Sequence, residues 1–314
     1  MISKKSIYTV TAISVLSILS ISFLYSFFYA DTTQFPSRET SPCSIKVKQL
    51  YIPDSVRLFN EVVPIQNFDT RESLERELLV NVYWQSQTTM FIKMVGRYFP
   101  IIEHVLEKNG VPEDFKYVAL AESGFRYNIS PAGATGYWQF LEKTAKEYGL
   151  VVNDYIDERY DIEKSTEAAC AYFKKAYERF GSWTLAAASY NVGIAGLSRQ
   201  ISYQYINSYY DLHTNSETGR YVFRILALKL LLENPEKYGY YILPEERYAP
   251  YDFVTYTVDS TIPDLAKFAQ DNGSNYKLLR IMNPWIRSRS SLPIQKEKPY
   301  AIKLVLEKDR TNSW

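Results

Sequence analysis

From Arg71 to about Tyr248, apolar residues recur at three- and four-residue steps almost without a break, and no alternating strand pattern of useful length interrupts them. That period confines the body of the chain to packed helices. "RESLERELLVNVYWQSQTTMFIKMVGRYF" carries the repeat first, and "YFPIIEHVLEKNG" follows, with Pro100 expected in a first helical turn and Gly110 as the stop. "STEAACAYFKKAYERFG" opens on a Ser165 cap and closes on Gly181, and a further helix runs from Asn215 to a stop at Pro235. Residues 31–70, polar and broken by Pro36, Pro42, Pro53 and Pro64, read as a linker running onto this body. Residues 252–308 differ. "DFVTYTV" and "YAIKLVLE" alternate as strands around two short helical stretches, a small βααβ unit.

Lys+Arg 36 against Asp+Glu 35 leaves a net charge of +1, so nothing draws the chain to polyanions, and nucleic acid is not an expected partner. With His104 and His213 as the histidines and Cys43 and Cys170 as the cysteines, no metal and no cofactor are expected. Cys43 lies in the linker and Cys170 in a helix, and an exported chain leaves a disulfide between them open. Export is indicated by the start of the sequence: behind Lys4 and Lys5, Ser6–Ala30 carries no charge, and about 20 apolar residues span a bilayer. The lysines hold the N-terminus in the cytoplasm and send the rest outward. Ala30 suits a cleavage site but Phe28 is too large for the small-x-small pattern, so an uncleaved anchor over residues 1–30 is favoured over a signal peptide. The many aromatic residues, with 28 tyrosines among them, suit stacking on sugar rings, although core packing accounts for most of them.

The candidate for chemistry is Glu122. Phe115, Val118, Ala119 and Glu122 stand at i, i+3, i+4 and i+7, so this carboxylate points where the apolar side chains point. A polar, glycine-bearing stretch follows at once, which places Glu122 in the last helical turn. Burial and the negative end of the helix dipole both disfavour its ionised form and raise its pKa. A glutamic acid protonated near neutral pH can donate to a glycosidic oxygen. From periodicity alone, a snorkelling or ion-paired helix-end glutamate is the commoner outcome.

The surrounding motifs change that balance. Glu122-Ser123-Gly124-Phe125, Gly136-Tyr137-Trp138-Gln139, Ser189-Tyr190-Asn191-Val192-Gly193 and Glu217-Thr218-Gly219-Arg220-Tyr221-Val222 occur in order over roughly a hundred residues. In these four elements the chain resembles the lytic murein transglycosylases with a goose-type-lysozyme-like catalytic domain, most closely the membrane-bound type D branch. The resemblance implies a mainly α, lysozyme-like catalytic domain over residues 71–248. It also implies peptidoglycan glycan strands as substrate and a place on the periplasmic side of a bacterial envelope. Glu122 would protonate the leaving oxygen and then act as base, with Ser123 orienting it or simply capping the helix end. Gln139 would bind a saccharide amide or hydroxyl. Tyr190 and Asn191 would reach the carboxyl group and the N-acetyl substituent, and Gly193 would keep the backbone close to the sugar. Tyr221 would contact Glu122 or the sugar, or merely pack. Gly133 and Gly136 serve the turn, and Trp138 packs before it offers a platform.

A lone acid also bears on the reaction. The resemblance implies that the substrate completes the mechanism, the muramic acid 6-hydroxyl attacking its own anomeric carbon to leave a 1,6-anhydro end. A well-aligned internal nucleophile reaches effective concentrations of about 10⁵–10⁸ M, far above water. Asp154, Asp157 or Asp161 could instead hold a water, as in an inverting hydrolase, although the resemblance makes Asp157, Arg159 and Asp161 look structural. A hydrolytic muramidase on the same fold and a non-catalytic glycan-binding protein are therefore the alternatives. The βααβ tail resembles a LysM module at Tyr256-Thr257-Val258, in its first helix and at Asn283-Pro284-Trp285. It departs from the pattern at Asp259-Ser260-Thr261-Ile262, where Gly-Asp-Thr-Leu is usual. Glycan binding and simple packing on the catalytic domain are both open to it.

Overall fold

A computed structural model of the protein describes residues 49–311; the apolar segment 6–30, Cys43 and most of the expected linker lie outside the described residues. No helix among the described residues is long and apolar enough to cross a membrane.

The folded body begins earlier than the sequence suggests. Residues 50–67, expected as linker, form a short hairpin of β1 (Arg57–Leu58) and β2 (Glu61–Val62), and Leu58, Phe59, Val63 and Ile65 are buried in the main core. Prolines and turns break up any periodicity in this stretch, which hid its apolar residues. Glu61 gives it a firm hold, its carboxylate accepting from Ser182 Oγ and from the Trp183 and Thr184 N–H groups at the start of a distant helix.

Eight helices then follow: α1 (Phe68–Tyr83), α2 (Gln85–Lys108), α3 (Lys116–Ser123), α4 (Glu142–Glu147), α5 (Ile162–Phe180), α6 (Trp183–Val192), α7 (Ile194–Gln204) and α8 (Ser216–Glu233). The first run of apolar repeats divides at Trp84, and α2 passes straight through Pro100, where a helix start was expected. Pro100 lacks the N–H that Gly96 C=O would accept, but it sits on the exposed side of α2 and the helix continues past it. Gly110 ends the helix as expected, in the left-handed region at φ 66°. The cap of α5 is also corrected. Asp161, not Ser165, accepts from the Glu163 and Lys164 N–H groups, while Ser165 is buried one turn inside.

α8 is the central helix, buried along most of its length and packed against α1, α3 and α6. Phe59, Phe115, Phe173 and Tyr190 form a chain of rings at 4.2–5.1 Å between centroids. Trp138 joins it edge-on, fully buried, with its indole N–H donating to Thr166 Oγ1 at 2.9 Å. Core packing thus takes up these aromatics. Cys170 is buried in α5, and its thiol is pushed up to about 12 by the apolar surroundings.

The tail is the expected βααβ unit, with β3 (Val254–Val258) antiparallel to β4 (Tyr300–Leu304) and α9 (Leu265–Asp271) and α10 (Tyr276–Met282) between them. The buried Asn283 closes it, accepting from Lys303 N–H and donating to the Leu279 and Lys303 carbonyls. The unit is joined to the helical body by main-chain bonds. Asp157 N–H donates to Trp285 C=O, Arg287 N–H donates to Tyr155 C=O, both at 2.8 Å, and Ile156 bridges Ile286. Ile156 and Tyr160 belong to the tail's hydrophobic core, where Trp285 stacks on Tyr300. A shared core predicts shared melting: Ile286→Ala should cost about 3 kcal/mol and lower one transition for the whole chain. Two calorimetric transitions, with only one displaced, would contradict this.

Candidate active site

Glu122 occupies the last turn of α3, and Gly124 at φ 56° stops the helix just beyond it, its N–H bonded to Leu120 C=O. Phe115, Val118 and Ala119 are fully buried, so the face inferred from spacing is the core face. Glu122 is half-buried at its edge. Tyr221, from α8, donates to its Oε1 at 2.5 Å. Burial pushes the carboxyl up to about 7, partly opposed by the Tyr221 bond and the charge of Arg224 and assisted by the charge of Glu217. Burial and the neighbouring carboxylate in turn hold the Tyr221 hydroxyl far above its usual range. It therefore serves Glu122 as a fixed donor.

The other residues singled out from sequence take distinct places. Ser123 Oγ donates to Ala119 C=O and accepts from Phe125 N–H, bonds that finish its own helical turn. Tyr190, in the last turn of α6, donates to Trp138 C=O at 2.7 Å, and burial, followed by the charge of Glu122, holds its hydroxyl well above the usual range. The exposed Asn191 accepts from Thr218 Oγ1 at 2.8 Å, which joins the end of α6 to the start of α8. Gly193 holds φ 80° and ψ 147° between α6 and α7 with no atom near a virtual Cβ, so the backbone corner itself requires glycine.

Gln139 lies in a turn before α4 with φ 51°, unusual for a residue with a Cβ. Its amide nitrogen donates to the Asn128 and Gly136 carbonyls, leaving the side-chain oxygen free of these bonds. The turn is held from behind by Arg159, which donates to the Gly133 and Phe140 carbonyls and pairs through two bonds with the buried Asp157. Gly136 lies hard against this support: a Cβ there would come within 1.9 Å of Arg159 O.

Asp157 is thus engaged in an ion pair and Asp161 in a helix cap, while Asp154 lies in an exposed turn. None of the three is joined to Glu122. The chemistry the arrangement offers is proton donation by one carboxyl group, gripped by the Tyr221 hydroxyl and near enough to Tyr190 for its charge to be felt there.

Two parts of the chain match described families. Residues 99–212, which contain Glu122, Gln139, Tyr190 and Asn191, match the family described as "Transglycosylase SLT domain". The chain carries an SLT domain. Residues 254–308 match "Soluble lytic transglycosylase C-terminal LysM-like domain", so the βααβ tail is a LysM-like domain of the SLT kind. Among similar proteins is "Membrane-bound lytic murein transglycosylase D" of Escherichia coli (strain K12), 31% identical over 140 residues, or 43% of this chain and 31% of the relative. Another is "Putative tributyltin chloride resistance protein" of Alteromonas sp. (strain M-1), 30% identical over 126 residues, 40% of this chain and 61% of that protein. The chain therefore spans about a third of the first relative and under two thirds of the second. Tyr221 and α8 lie beyond the SLT match, although the bond to Glu122 comes from there.

Sequence reasoning assigned no role to Thr218, which lies in the fourth motif, or to Glu77. The latter carried a signal. Leu74, Glu77, Leu78, Asn81 and Val82 stand at i, i+3, i+4, i+7 and i+8 and are all buried, so Glu77 is a carboxylate on an apolar face, as Glu122 is.

Proposed function

We propose that the protein is a peptidoglycan lytic transglycosylase that cleaves the β-1,4 bond between N-acetylmuramic acid and N-acetylglucosamine. The observation that carries this reading is the half-buried Glu122, its carboxyl pushed up to about 7 and gripped by Tyr221, within an SLT domain. Protonated Glu122 donates to the glycosidic oxygen, and the muramic acid N-acetyl group supports the positive charge at the anomeric carbon. The carboxylate then accepts the proton of the muramic acid 6-hydroxyl as that oxygen bonds to the anomeric carbon. No water is consumed. Gln139, Tyr190 and Asn191 line the sugar site in this reading, and Ser123 fixes the end of the acid's helix.

The membrane-bound relative and the apolar segment 6–30 behind two lysines support an envelope enzyme anchored on the periplasmic side. The LysM-like tail, fused to the body through Trp285 and Ile286, acts as a rigid extension of the catalytic unit beside the glycan.

Mass spectrometry of digested peptidoglycan is expected to find disaccharide products one water lighter than reducing-end muropeptides. Reducing ends alone would assign a hydrolase instead. Because the acid must be protonated, activity should fall as pH rises through about 7, the value to which burial lifts Glu122.

A further inference from the structure

Glu77 lies in the middle of α1, 1% exposed, beneath the first turns of α8. Its Oε1 accepts from Arg220 Nε at 2.5 Å. Its Oε2 lies 3.9 Å from Arg224 Nε and has no hydrogen-bond partner among the described residues. Arg224 reaches the other way to Glu217, Nη1 to Oε1 at 3.1 Å. Glu217, Tyr221 and Arg224 follow one another at four- and three-residue steps along α8, so the cation between the two carboxylates shares a helix face with the tyrosine that holds Glu122.

A guanidinium beside a general acid is a hazard, because pairing with the carboxylate would hold it ionised and remove the proton it must give. A buried carboxylate that draws that guanidinium to itself removes the hazard. We propose that Glu77 is a positioning residue that anchors Arg224 on the α1 side of α8 and so keeps Glu122 available as a proton donor. This rests on the reading of Glu122 as the catalytic acid. The charged and titratable groups facing the pair are Glu217, Arg220, Tyr221 and Arg224 from α8, Tyr190 from α6, and Tyr209, which feels Glu77 from the turn before α8. From α2, the neighbours of Gly124 at the end of α3 are Phe91 and Gln87, and Gln87 Oε1 accepts from the exposed Arg126, a further cation on that side.

The signs follow from Coulomb's law. Glu77→Gln removes a negative charge and frees Arg224, both of which favour ionised Glu122. The alkaline limb of the pH–activity profile should therefore move down by about one unit. The corresponding loss is about fivefold at the pH of the wild-type midpoint, with the acid-side plateau little changed. Arg224→Gln should move the limb up, and Glu77→Gln/Arg224→Gln should return it towards the wild-type position. A structural role alone would lower activity evenly at all pH values, and that result, or a limb that stays still in both single variants, would overturn the proposal. Should Glu77→Gln not fold, Glu77→Asp, which keeps the charge but shortens its reach towards Arg224, takes its place: a limb moved down supports the proposal and an unmoved limb refutes it. Glu122→Gln measured alongside separates the two claims. An inactive Glu122→Gln with unmoved limbs in the others sinks the role of Glu77 and leaves the acid in place.

Discussion

Glu122→Gln is expected to lower peptidoglycan cleavage on the order of 10³-fold, the range for removing a general acid, while making the protein more stable above neutral pH. The two effects share one cause. The folded carboxyl is lifted from 4.5 to about 7, whereas in the unfolded chain it titrates at the lower value. Below pH 4.5 both states hold the proton and the group contributes nothing to pH dependence. Between the two values the folded state keeps a proton that the unfolded state releases, so the wild type loses stability as pH rises and levels off above 7. Glutamine, of the same shape and still able to accept from Tyr221, avoids this loss. The gain should reach roughly 2–3 kcal/mol at pH 8, discounted for the partial exposure of the residue, and vanish near pH 4. Denaturant titrations at the two pH values test it. A variant no more stable at pH 8 than the wild type would show that the carboxyl is not desolvated, and undiminished cleavage would remove it from the mechanism.

Gly136→Ala should be the most damaging glycine-to-alanine change among the described residues. Its Cβ would lie 1.9 Å from Arg159 O and 2.5 Å from the carbonyl carbon, main-chain atoms that no side-chain rotation can withdraw, at a φ of +82°. Relief requires moving Arg159, and with it the paired Asp157 and the bonds to Gly133 and Phe140. The loss should exceed about 4 kcal/mol, the level reserved for special backbone sites and broken buried networks. Gly133 provides the control. Its φ is +81°, but nothing lies within 4 Å of a virtual Cβ, so Gly133→Ala should cost only about 1–2 kcal/mol. Equal melting temperatures for the two alanine variants would refute the assignment.

The sequence was most legible where a single helix decides the outcome. The spacing of Phe115, Val118 and Ala119 fixed the face of α3 and thereby the dry surroundings of Glu122, because period and burial are local properties. Partners are not local. Tyr221 stands 99 positions from Glu122, and periodicity says which face of α8 is apolar without saying which hydroxyl meets which carboxylate. The resemblance implies that Tyr190 reaches the carboxyl group, and its hydroxyl is bonded to Trp138 C=O because the ring is packed among Trp138, Phe140, Tyr172 and Phe173. Pro100 misled for a related reason: a proline removes one helical hydrogen bond, but whether the helix stops there is decided by the packing of the whole element, which is not local. Glu77 has the same spacing signal as Glu122, but its partner Arg220 stands 143 positions away and no local pattern announces the pairing.

The backbone bonds that hold Trp285 and Arg287 to residues 155–157 end two positions before Arg159. Trimming the tail would therefore strip the solvent shield from Ile156 and Tyr160 and loosen the strut under Gln139. Shortening such a chain without loosening that turn would call for a new polar surface on the seam, so residues 99–212 and 254–308 behave as parts of one folded unit.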